Sequence, residues 1–158
     1  MDAAGAWTII WWQDLLIPGQ VILRCLHENK LKSILIVDDD AAIDLQEKNI
    51  SRMSVDKQYP VEILTIPELN KSIEVYDNCL ILFKRLSVAQ ILLNRGILAN
   101  DLIIGRLSAG IGKKKFSEGI FLSNEDVECL RFLDRKGIRI FQQMIPKDKA
   151  VLLNDVLS

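Results

Sequence analysis

Short apolar runs alternate with amphipathic stretches along the whole chain. Ser33-Ile34-Leu35-Ile36-Val37 and Cys79-Leu80-Ile81-Leu82-Phe83 are almost continuously apolar and too short for helices. A strand covered on both faces by helices needs such a run, because both sets of alternating side chains meet a packed layer. Residues 7–12, 61–66 and 102–104 follow the same pattern, and residues 119–122 and 138–141 add a sixth and a last strand. Between these runs the spacing predicts helices over 19–29, 41–53, from Pro67 to about 75, over 87–95, from Asn124 to Gly137, and over 148–157. Pro18 lies near the first turn of the first of these, where a missing N–H costs little. Pro67 suits a first helical position for the same reason, and Gly96 and Gly137 suit helix ends. Ser123 is a fitting N-cap, and Asp126 three residues on comes close to a capping box. Val127, Leu130, Leu133 and Asp134 then keep helical spacing.

This alternation predicts one α/β domain over 1–158: three α/β/α layers around a mainly parallel sheet of six or seven strands. In such sheets ligands meet the loops that leave the C-terminal strand ends. Those loops are 13–19, 38–40, 84–86 and 105–115.

Composition narrows the function classes. Of 158 residues, 49% are hydrophobic, enough for a packed core. Twenty Lys and Arg against 21 Asp and Glu leave a net charge of −1, so no general attraction to nucleic acid is expected. Cys25, Cys79 and Cys129 are few and widely spaced, which predicts neither a disulfide framework nor a metal site. They read as small core residues in a reducing, cytoplasmic setting. The apolar run at 7–12 stops at Gln13 and Asp14, far short of the ~20 residues that span a bilayer. It also lacks a preceding positive segment, so no signal peptide is expected.

Two resemblances can be tested residue by residue. Ile34 to Asp40, ending in Asp38-Asp39-Asp40, resembles the first strand of a response-regulator receiver, where clustered acids hold a divalent cation. A receiver also needs an aspartate closing its third strand. Here the following strands end in Thr65-Ile66 and Phe83-Lys84, and an extra strand and helix precede the acids. The three aspartates then read as an acidic helix entry that complements the helix dipole.

The second resemblance covers nearly the whole chain. Asp14, Leu16, Ile17, Gly19, Gln20 and Val21 match a loop that typically reads Asp-Asp/Glu-Arg-Leu-Ile-His-Gly-Gln-Val. Ile36 to Ala42, Leu82-Phe83-Lys84, Gly105, Gly112-Lys113-Lys114, Leu122 to Val127, Lys136-Gly137 and Met144-Ile145-Pro146 follow in the right order. The chain thus resembles the IIB component of the mannose/fructose/sorbose family of the bacterial sugar phosphotransferase system. The resemblance implies a cytoplasmic phosphocarrier, without cofactor or metal, sited in the cytoplasm or peripherally at the inner membrane face. Its partners would be a IIA domain, whose phosphohistidine supplies the phosphoryl group, and a membrane permease that carries the sugar. Such chemistry needs a ring nitrogen as nucleophile and donors for the phosphoryl oxygens.

The departures from the family pattern fall on that chemistry. Pro18 stands at the position of the phosphorylated histidine, Leu15 at that of the loop arginine, Gln13 at that of an acid, and Trp11 at that of an upstream basic residue. A proline ring offers neither a nucleophilic nitrogen nor a backbone N–H. No catalytic residue is therefore assigned, and Gln13, Asp14, Leu15, Pro18, Gly19 and Gln20 form a degenerate active-site loop. The single histidine, His27, lies nine residues beyond Pro18, about 13 Å along a helix. Cys79 starts a strand, at the end away from the expected site. Candidate anion or partner contacts are Asp39, Lys84, Arg106, Lys113 and Lys114, the lysines otherwise belonging to a solvated loop. Trp11 or Trp12 fills the space vacated by a phosphate site, or is simply core. Two readings of function follow from the resemblance. One is a IIB component in which phosphotransfer fails. The other is a regulatory or docking module that binds a IIA domain, permease or small anion without transferring phosphate.

Overall fold

The computed structural model describes residues 8–14, 19–44, 59–71, 78–97, 99–143 and 150–157. Six parallel strands form the body of the main sheet: β1 (Thr8–Trp12), β2 (Ser33–Val37), β3 (Val61–Leu64), β4 (Cys79–Phe83), β5 (Asp101–Ile104) and β8 (Arg139–Gln142). A two-residue β9 (Val151–Leu152) adds to β8 antiparallel, which gives the order β3-β2-β4-β1-β5-β8-β9. The remaining pair, β6 (Lys113–Ser117) and β7 (Ile120–Ser123), forms a separate antiparallel hairpin. The described helices are α1 (Gln20–Glu28), α2 (Asp39–Ile43), α3 (Ile66–Lys71), α4 (Ser87–Asn94), α5 (Asn124–Arg135) and α6 (Asn154–Leu157).

The continuous apolar runs are the central strands because they are covered twice. Ile10, Trp12, Ile81 and Phe83 face one apolar layer, which Val88, Ala89 and Leu92 of α4 and Leu130 and Leu133 of α5 complete. Ile9, Trp11, Leu80 and Leu82 face the other, completed by Ile22, Cys25 and Leu26 of α1 and Ala41 of α2. The chain leaves β1 toward β2 under α1, and leaves β4 toward β5 under α4, on the opposite face. Strand order therefore reverses between the neighbours β1 and β4, and a crevice opens at their C-terminal ends.

Several expectations change. The stretch 113–117 is a strand, although its lysines read as loop. Its outer side chains face water, so it carries no apolar run, and only pairing with β7 defines it. The expected sixth strand, 119–122, lies in that hairpin and touches the core edge through a bridge from Leu107 to Ile120. The expected closing helix over 148–157 shortens to α6, because Val151 and Leu152 pair with Gln142 and Phe141. The expected helical residues 45–53 and 72–75, the 144–146 segment, and Leu15 to Pro18 lie outside the described residues. Among the described residues no helix is long and apolar enough to cross a membrane.

Candidate functional site

The loops that leave β1, β4 and β5 are stitched to one another. Beyond the last paired residues, Gln13 N–H donates to Phe83 O at 3.2 Å, Gly105 N–H to Trp12 O at 2.9 Å, and Asp14 N–H to Arg106 O at 3.1 Å. The Asp14 carboxylate accepts from Ser108 N–H at 2.6 Å, across 94 residues of sequence. Gln13 Oε1 accepts from the indole N–H of Trp11 at 3.0 Å. Gly105 is what lets these groups meet: a Cβ there would lie 2.5 Å from Gln13 Oε1 and 3.0 Å from both Gln13 Cβ and Trp11 Nε1.

Trp11 and Trp12 are both core, on opposite faces of β1. Trp12, 3% exposed, also floors a cleft of about 840 Å³ at the crevice. Its indole N–H donates to Lys84 O at 2.9 Å, which fixes the backbone just past β4. Asp14, Lys84 and Arg85 close the strand-end side of the cleft, Ser87 and Gln90 of α4 one wall, Lys113 the hairpin side, and α5 the other wall. The start of α5 is held by a complete capping box: Ser123 Oγ accepts from Asp126 N–H at 3.0 Å, and Asp126 accepts from Ser123 N–H at 2.9 Å.

The sequence-nominated residues divide accordingly. Asp14, Lys84 and Lys113 line the cleft, and Gln13 buttresses its floor through Trp11 and Gly105. Gly19 is the extended N-cap of α1 and Gln20 its first residue, both exposed. Leu15 and Pro18 are not described. Arg106 and Lys114 are exposed and do not line the cleft. Asp39 is also outside it: its carboxylate accepts from Ile66 N–H at 2.8 Å and ties α2 to the start of α3. Sequence reasoning did not place Gln90, Asn124, Cys129 or Arg135 at the site. The capping signal located the start of α5, but only the folded chain brings that start opposite Lys84.

The nucleophiles sit elsewhere or are damped. His27 is exposed near the C-terminal end of α1. Cys25 is buried against the sheet, and burial pushes its thiol up to about 12, with Glu28 and Asp101 adding to the effect and an Asn29 hydrogen bond opposing it. Cys79 is buried at the start of β4, at the far end of the sheet. Cys129 is half-buried and lines the cleft; burial and then Asp126 raise its pKa and disfavour the thiolate. Among the described residues no group of three His, Cys, Asp or Glu side chains is placed to hold a metal ion.

Comparison with known proteins agrees with this geometry. Residues 8–158 match the family described as PTS system sorbose subfamily IIB component. The sorbose-specific EIIB component of Klebsiella pneumoniae is 24% identical over 152 residues, covering 92% of this chain and 91% of that one. The mannose-specific EIIAB component of Escherichia coli K12 is 22% identical over 92% of this chain, which spans only 46% of that longer protein. The crystal structure of manxB from Thermoanaerobacter tengcongensis superposes with a TM-score of 0.80 at 27% identity, covering 98% of this chain and 97% of that one. With a match over nearly its full length and the same three-layer, mostly parallel sheet, the chain belongs to the sorbose subfamily of phosphotransferase-system IIB components.

Proposed function

We propose that this chain is a IIB component that has kept the scaffold of a sugar phosphotransferase system and lost phosphoryl transfer. The observation that carries the reading is Pro18 at the position of the family's phosphorylated histidine, directly before the α1 N-cap Gly19. Transfer requires a nitrogen lone pair that attacks phosphorus and later leaves it, and proline in a peptide has none to give. Leu15 in place of the loop arginine removes a charge-assisted partner for the phosphoryl oxygens as well. No described side chain takes over: His27 is at the other end of α1, and Cys129, beside the cleft, is held toward its neutral thiol.

What is retained supports docking. The loops after β1, β4 and β5 remain cross-linked, so the surface a IIA domain or a membrane permease would meet keeps a fixed shape. The chain then acts in the cytoplasm, or at the inner membrane face, as a non-transferring partner of those components.

The test is phosphorylation. Mixed with a phosphorylated IIA domain, the protein gains no acid-labile phosphate, and the Pro18→His/Leu15→Arg double variant gains some. A phosphorylated peptide containing His27 or a cysteine in the native protein overturns the reading. A folded double variant that stays inert shows that the loop has drifted beyond these two positions.

A further inference from the structure

We draw no further inference here: the strongest candidate, the exposed apolar surface of the edge strand β9 (Val151, Leu152) and of the helix that follows it (Val156), carries nothing because no feature among the described residues shows what covers it.

Discussion

Gly105→Ala is the substitution in which the structure commits itself most. The new methyl would sit 2.5 Å from Gln13 Oε1 and 3.0 Å from Gln13 Cβ and Trp11 Nε1, closer than side-chain carbons are found. The amide end of Gln13 can swing aside, but it then gives up the hydrogen bond from the Trp11 indole. Trp11 is 1% exposed, so its N–H has no water to turn to. Leaving that donor unpaired costs about 1–3 kcal/mol, and the residual crowding about 1–3 kcal/mol. The alanine recovers about 0.4–1 kcal/mol by restricting the unfolded chain. The net loss is about 1–5.6 kcal/mol, or a fall in Tm of roughly 2–22 °C for a chain of this length. In a Gln13→Ala background the indole bond is already gone and the worst contact removed, so the same glycine change costs about 1–2 kcal/mol less. Urea unfolding of the four proteins measures both numbers. A neutral Gly105→Ala, or an equal cost in both backgrounds, refutes the claim that this glycine exists to let Gln13 and Trp11 meet.

Two stability predictions accompany it, beside the tests above. Asn154 accepts from Ile140 N–H at 2.7 Å and donates to Ile138 O and Asp134 Oδ1 at 2.9 and 2.6 Å, so Asn154→Ala orphans a buried strand N–H and lowers the urea midpoint by the equivalent of about 2–3 kcal/mol. Cys25 has its thiol raised from 9.0 to about 12, so the folded state favours the neutral form. That contribution is complete below about pH 9 and is lost as pH rises toward about 12. Urea midpoints at about pH 8 and about pH 10.5 therefore differ less in Cys25→Ala than in the native protein.

The family scaffold and its altered loop belong together physically. Within 13–21, Asp14, Leu16, Ile17, Gly19, Gln20 and Val21 match the loop pattern that the chain resembles. On that resemblance, Pro18, Leu15 and Gln13 stand where the pattern has a histidine, an arginine and an acid. The Gln13 side-chain oxygen accepts from the Trp11 indole N–H. The tryptophan and the glutamine thus form an internal contact at two positions where the resembled pattern has charge.

Much of the fold was legible because burial on two faces leaves a plain mark. Ser33–Val37 and Cys79–Phe83 are strands over the same residues that their apolar runs delimit, and both are interior strands of the sheet. The start of α5 was equally legible, since a capping box is a contact between residues three apart. The hairpin strand Lys113–Ser117 was not, because one lysine-rich segment serves as well for a loop as for a solvated strand. The end of the chain was misread for a related reason: Val151 and Leu152 suit a helix or a strand, and the free edge of β8 decided between them.

The sequence by itself determined the layers, the family resemblance and the proline where that resemblance expects a histidine, all of which reside in local runs or single identities. Only the tertiary structure decided which charged groups meet. Asp14 accepts from Ser108 N–H, 94 residues away, and lines one cleft together with Lys84 and Lys113. Pairing of that kind depends on which loops the sheet order brings together, and strand order is written in contacts between distant segments rather than in any one of them.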